Sequence, residues 1–184
     1  MQEKTVLDKE DMRRTLVRIS HEIVERTGGH DVAIVGIYTR GVAIAQRLRR
    51  EIAQATGFEP DVGALDISFY RDDVNSRQPV VHSTRLDFPI DGRTVVLVDA
   101  VLYTGRTIRA AIDALFDYGR PARVQLAVLA DRGHRELPIR PDYVGKNLPT
   151  ARDERVHVHL EELDGEDQVT IAAADSEITI RRGS

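Results

Sequence analysis

Asp99 and the string Tyr103-Thr104-Gly105-Arg106-Thr107 carry the strongest chemical signal in this 184-residue chain. The apolar run Val95-Val96-Leu97-Val98 leads into the carboxylate, Ala100-Val101-Leu102 follow as a small turn, and Thr-Gly-x-Thr opens a helical pattern. The order is strand, loop, helix N-terminus. In an open parallel sheet, ligands bind just outside the carboxyl ends of strands. A carboxylate there accepts hydrogen bonds from two neighbouring hydroxyls, as on a ribose 2,3-diol. Gly105 lets the backbone approach closely, and successive N–H groups with the Thr104 and Thr107 hydroxyls cradle a phosphate. Diol and phosphate recognition thus lie one turn apart, as a ribose 5-phosphate requires. Residue by residue, the same string is an ordinary turn with a threonine cap; only the whole argues for a ligand. Neither GxxxxGK(S/T) nor GxGxxG occurs, which argues against nucleoside triphosphatases and dinucleotide enzymes.

Two basic sets suggest a second kind of partner. Arg14, Arg18 and His21 fall at i, i+4 and i+7 on one helical stripe, opposite Met12, Ile19 and Ile23. Alone, that stripe reads as the solvated face of an amphipathic helix. Arg132, His134, Arg135, Arg140 and Lys146 cluster in a loop region where burial does not account for them. In a chain of net charge −4, two concentrated sets fit a polyanion better than a need for solubility. His82, His157 and His159 are weaker signals. The last two share one strand face without a third ligand, so they read as partly exposed strand residues, and no direct protein metal site is expected.

These residues need elements to hold them. Asp8 caps a helix over about residues 9–27, with Met12, Leu16, Ile19 and Ile23 at helical spacing and Gly28-Gly29 as its stop. Val32–Ile37 is a continuous apolar run, hence a buried strand. Thr39-Arg40-Gly41 is a tight turn. A helix over 42–56 carries Ile44, Leu48 and Ile52, and 62–67 is the next strand. Between Phe69 and about Asp91 the chain is polar and weakly periodic, an excursion or β-arm of a length usually tied to function. A strand at 94–99, a helix at about 105–118 and a strand at 124–130 follow, then short strands near 155–160, 168–173 and 177–181. This alternation predicts an α/β fold with a right-handed parallel sheet and a small C-terminal addition.

Composition narrows the class. With 41% hydrophobic residues the chain can bury a sizeable core, and its length suits one domain. Net charge −4 and a pI near 5.9 argue against coating nucleic acid by bulk charge. No Cys is present, which removes disulfides, thiolate metal sites and a cysteine nucleophile, and is compatible with the cytosol. No apolar run nears the roughly 20 residues that span a bilayer, and the N-terminus lacks the apolar segment of a secretory signal. A soluble cytoplasmic protein with no membrane role is expected.

The string from Val95 to Thr107 resembles the phosphoribosyl pyrophosphate (PRPP) motif of type I phosphoribosyltransferases, and Thr39-Arg40-Gly41, within VGIYTRG (35–41), resembles their pyrophosphate loop. Beyond that, RRTLVRISHEI (13–23), LDISFYRDD (65–73), VLYTGRTIRAAIDALFDYGRP (101–121), QLAVLADRGHRELPIRPDYVGKNLPT (125–150) and LEELDGED (160–167) resemble the PyrR family of bifunctional pyrimidine operon regulators and uracil phosphoribosyltransferases. The likeness covers nearly the whole chain.

The resemblance implies a type I phosphoribosyltransferase fold over 1–184, with a core of about 30–131, a hood from the N-terminal segment and about 132–184, and a flexible β-arm. It implies a glycosyltransferase reaction: uracil and PRPP give UMP and diphosphate, with Mg2+ carried mainly by PRPP. It also implies attenuation, in which the UMP- or UTP-bound protein binds leader mRNA of pyrimidine genes. By this likeness Thr39, Arg40, Gly41 and residues Asp99, Ala100, Val101, Leu102, Tyr103, Thr104, Gly105, Arg106 and Thr107 bind PRPP or nucleotide. Asp99, Arg71 and Tyr103 serve the reaction, with Arg71 meeting the pyrophosphate as water is expelled; a solvated charged loop is the alternative for Arg71. Arg132 and Val156 border uracil, and a peptide N–H and C=O pair at Val156 suits its imide edge; alone, Val156 is an ordinary strand residue. Arg14, Arg18, His21, His134, Arg135, Arg140 and Lys146 are RNA candidates. Lacking RNP and KH patterns, the chain would read a folded RNA and its loop bases through Arg and Lys. A homodimer or higher homo-oligomer follows, because one concave basic face needs two subunits.

One position departs from the family. The PRPP motif usually carries two adjacent acids, and here the second is Ala100. Replacing a charged acceptor by a methyl group removes about 1.5–3 kcal/mol of hydrogen bonding, about ten- to a hundredfold in rate or binding. Two readings follow: a weakened bifunctional enzyme, or an RNA-binding nucleotide sensor with little transfer. A phosphoribosyltransferase for a purine base is a third, against which DRGHRELPIR and the basic helix count.

Overall fold

The computed structural model describes residues 3–72 and 81–173. The elements in chain order are β1 (Glu3–Leu7), α1 (Lys9–Thr27), β2 (Val32–Ile37), α2 (Arg40–Thr56), β3 (Asp61–Leu65), β4 (Thr94–Leu102), α3 (Arg106–Phe116), β5 (Arg123–Asp131), β6 (Tyr143–Asn147), β7 (Arg155–His159), α4 (Glu161–Asp164) and β8 (Gln168–Ala172). Five strands form a parallel sheet in the order β3-β2-β4-β5-β6, and three form an antiparallel sheet in the order β1-β8-β7. This is the expected α/β type I architecture: a parallel core with a separate small hood sheet.

Local chemistry explains the elements that were legible. Asp8 accepts from the Asp11 N–H at 2.8 Å while the Asp11 carboxylate accepts from the Asp8 N–H at 3.1 Å, a reciprocal cap that starts α1. Met12, Leu16, Ile19 and Ile23 are buried along one face of that helix, which ends at Gly28. Every residue of β2 is buried, as a central parallel strand requires.

Several boundaries move. α2 begins at Arg40, so Thr39-Arg40-Gly41 is a helix entry rather than a free turn. β3 stops at Leu65, short of Ile67, because the Asp66 carboxylate accepts the Ser68 N–H and turns the chain. β4 runs to Leu102, three residues past Asp99, because it pairs with β5 through Leu102 and Asp131. β6 supplies a fifth core strand beyond the expected core limit at 131; its sequence, YVGKN, has one buried position and a glycine and so shows no apolar strand pattern. The arm's described part carries one isolated bridge, Ala64 with Arg85. The strand expected at 177–181 and the arm's residues 73–80 lie outside the described residues. Among the described residues, no helix is long and apolar enough to cross a membrane.

Candidate functional site

The two ligand motifs meet where β4 outruns β2. Pairing between these strands ends at Gly36 with Val98, so Asp99 stands at the first free step of the β4 edge. The entry of α2 closes over that step. A Cβ on Gly41 would lie 2.3 Å from the Val98 carbonyl oxygen and 3.3 Å from the Asp99 Cα. Only a residue without a side chain lets the helix approach so closely. Gly41 and Asp99, 58 positions apart, are therefore neighbours.

Asp99 keeps part of its surface but sits deep in the strand end. Burial pushes its carboxyl up to about 7; the Ala100 N–H, donating to Oδ1 at 2.8 Å, and the positive charge of Arg71 pull the other way. Arg71 thus lies within electrostatic reach of Asp99. Ala100 is 6% exposed on the opposite face of the strand, within the apolar cluster that also holds Val98 and against which Val156 packs. The family's missing second acid therefore corresponds to a methyl group on the hood side.

Beyond Leu102 the chain forms a cavity of about 560 Å3 lined by residues 101–108, Arg71, Asp72 and Glu136. Gly105 adopts φ +93° at the N-terminus of α3, a conformation that L side chains rarely reach. The N-cap residue Gly105 has no side chain to cap this helix, whose N-terminus and dipole lie at the cavity. Thr104 Oγ1 accepts the Arg106 N–H at 3.3 Å, tightening the loop. Arg106 bridges the mouth, with Nη1 on Asp72 at 2.7 Å and Nε on Glu136 at 3.0 Å. Asp72 and Glu136 were not anticipated from the sequence.

The segment 131–140 is bolted to this loop. The Arg132 N–H donates to the Leu102 carbonyl, and the Glu136 and Leu137 N–H groups both donate to the Thr104 carbonyl. Arg135 donates to the Tyr103 and Ile139 carbonyls, each at 2.9 Å, and to both oxygens of Asp131. Arg132 is 9% exposed, stacks 4.1 Å over the Tyr103 ring, and donates to the Ala151 carbonyl. Its buried Nε has no hydrogen-bond partner among the described residues. His134 Nε2 is 2.6 Å from the Thr150 carbonyl. The expectation that burial would not account for this cluster is thus wrong for Arg132, His134 and Arg135. Apart from the Arg132 Nε, their hydrogen bonds go to loop carbonyls and to Asp131; Arg140 and Lys146 are the exposed members, and the Lys146 Nζ also donates to the Val6 carbonyl at 3.3 Å.

The helical stripe divides in the same way. Arg18 donates to the Val144 and Gly145 carbonyls at 3.1 and 2.7 Å and pairs with Glu22, so it staples α1 to β6 while its side chain stays 46% exposed. Arg14 meets Glu10 and Asp11 only at 4.0 and 3.6 Å, and His21 is exposed. By docking α1 on β6, Arg18 brings this stripe beside Lys146, joining two sets that are far apart in sequence.

Arg40 also departs from expectation. Its Nε donates to the Val158 carbonyl at 2.7 Å and its Nη2 reaches both oxygens of Asp164, so here the guanidinium is engaged by the hood. In the order β1-β8-β7, β7 is an edge strand among the described residues. The Val158 carbonyl therefore lies on its free edge, and the N–H and C=O of Val156, two residues earlier, point the same way. His157 and His159 are half-buried, and no group of three His, Asp or Glu among the described residues is placed to hold a metal.

A family model described as "Phosphoribosyl transferase domain" matches residues 2–163. The Bifunctional protein PyrR of Roseiflexus sp. (strain RS-1) is 60% identical over 168 residues, covering 90% of this chain and 92% of that one. That of Caldicellulosiruptor bescii is 55% identical over 178 residues, covering 95% and 98%. Among solved structures, a hypoxanthine-guanine phosphoribosyltransferase from Bacillus anthracis aligns with a TM-score of 0.70 at 16% identity, over 92% of this chain and 97% of that one. At that identity the likeness speaks for the fold alone.

Proposed function

The chain belongs to the phosphoribosyltransferase family and, within it, to the PyrR proteins, and from that premise we propose that it converts uracil and PRPP to UMP and diphosphate and, with a uridine nucleotide bound, binds leader mRNA of pyrimidine genes. The observation that carries the reading is the junction of Asp99, the uncapped N-terminus of α3 and the entry of α2 around one strand end. Asp99 accepts the ribose hydroxyls while the loop 104–107 holds the 5-phosphate through its N–H groups. Arg71 faces the pyrophosphate. The free N–H and C=O of Val156 pair with the imide edge of uracil, and Arg132, whose Nε is unpaired, borders the base. Tyr103 serves the reaction by supporting Arg132, whose guanidinium stacks on its ring.

Mg2+ fits only in company with phosphate. Burial holds Asp99 partly neutral and Asp72 is paired with Arg106, so the donor set suits an ion already on the pyrophosphate. Bound there, the ion would supply charge neutralisation for the leaving diphosphate.

Ala100 bears on the transfer. Compared at temperatures where both proteins are fully folded, since the new carboxylate enters an apolar cluster, Ala100→Asp is expected to raise kcat/KM for UMP formation about tenfold or more, the rate equivalent of one regained charged acceptor. Steady-state assays of both proteins decide it: agreement within about twofold means that the absent acid costs nothing.

For RNA, the exposed residues Arg14, His21, Arg140 and Lys146 carry the contacts, on a cytoplasmic homodimer that presents two copies of the face. In gel shifts with leader RNA, UMP is expected to strengthen binding. Arg140→Gln and Lys146→Gln are each expected to reduce the slope of log affinity against log salt by about 0.7–0.9. Binding that ignores both UMP and salt would refute the regulatory half of the proposal.

A further inference from the structure

We infer that Arg40 is a positioning residue for base recognition: it locks the free edge of β7, which presents Val156, onto the start of α2. This deepens the uracil reading and rests on it. The guanidinium holds both partners at once, Nε on the Val158 carbonyl at 2.7 Å and Nη2 on Asp164 at 2.9 and 3.2 Å. Asp164 is itself fixed, because its Oδ2 accepts the Leu160 N–H at 2.9 Å. The anchor therefore spans the end of β7 and the turn after it.

One helical face further along α2, Arg47 binds Glu162 and Asp167, each through two hydrogen bonds. Asp167 in turn accepts the Glu161 N–H at 2.8 Å. Arg40 and Arg47 are seven residues apart and so lie on the same side of α2. Together they clamp the acidic segment 161–167 that joins the hood strands β7 and β8. Of the two, only Arg40 touches β7 itself, and it does so two residues from Val156. Since Arg40 follows Thr39 and precedes Gly41, one side chain sets the spacing between the pyrophosphate end and the base end of the site.

A positioning role and a direct diphosphate contact give opposite results. Arg40→Gln and Asp164→Asn are compared in steady-state UMP synthesis, in PRPP binding measured without uracil, and in hydrogen exchange of the peptide covering 154–160. Arg40→Gln is expected to raise the KM for uracil about fivefold or more, since a charge-assisted tether is lost, while PRPP affinity stays within about twofold. Asp164→Asn is expected to shift the uracil KM in the same direction. The double variant should add less than the product of the singles, and exchange in 154–160 should quicken in both. A fall in PRPP affinity for Arg40→Gln, with uracil KM unchanged and Asp164→Asn silent, would overturn the inference and make Arg40 a diphosphate ligand. If the unaltered chain makes no UMP, the transferase reading has failed instead. The exchange measurement then decides alone, and unchanged exchange in Arg40→Gln overturns the anchor.

Discussion

Asp99→Asn will lower kcat/KM for PRPP about a hundredfold, the loss expected when a preorganised charged group facing the developing ribose cation becomes neutral. The same substitution will change the pH dependence. With the Asp99 carboxyl pushed up to about 7 by burial, the free protein holds a proton there below neutrality. Ribose hydroxyls donate to a carboxylate, so binding releases that proton. Affinity should therefore rise as pH increases toward 7 and level off above it, a trend that Asp99→Asn removes.

Stability runs the other way. The folded carboxyl binds its proton more tightly than the unfolded one, near 3.9 in an ordinary chain. The unfolded state sheds it first, so this group's contribution is full below about 3.9 and is lost as pH rises through about 7. Titration calorimetry and thermal unfolding from pH 5.5 to 8.5, on both proteins, check the two trends. PRPP and Mg2+ titrate identically in both, so the difference isolates Asp99. Parallel pH profiles would mean that this carboxylate does not meet the diol.

The sequence made the strand ends legible and left the arginine partners hidden, for physical reasons. Burial on both faces writes itself as a continuous apolar run, which placed β2 and the body of β4. The stripe and reciprocal cap of α1 are equally local. β1 and β6 have five residues each and few buried positions, so their pairing comes from partners far along the chain. A guanidinium has five donors, and its residue type and spacing are the same whether those donors meet RNA, water or a carbonyl. Arg135 and Arg18 read as an RNA surface for that reason, although each is used by backbone carbonyls. Asp131 at i−4 from Arg135 was the one local hint that Arg135 had an internal partner.

Gly41→Ala should be a severely damaging single-methyl change in the site. The added Cβ would lie 2.3 Å from the Val98 carbonyl oxygen, and both sides of that contact are backbone. No rotamer can relieve it, so the start of α2 must lift from β4. Overpacking of this kind costs about 3 kcal/mol, which for a chain of this length lowers Tm by about 6–12 °C. The displacement falls on the step beside Asp99, so PRPP affinity should drop more than tenfold even at temperatures where the variant is fully folded. Thermal unfolding and calorimetry at 15 °C separate the two effects. A Tm within about 2 °C of the unaltered chain would mean that the helix does not approach the strand this closely. A large Tm loss with unchanged PRPP affinity would mean that the entry of α2 stabilises the fold without shaping the ribose site. Loss of both is the outcome expected if one backbone contact between α2 and β4 serves the core and the ligand together.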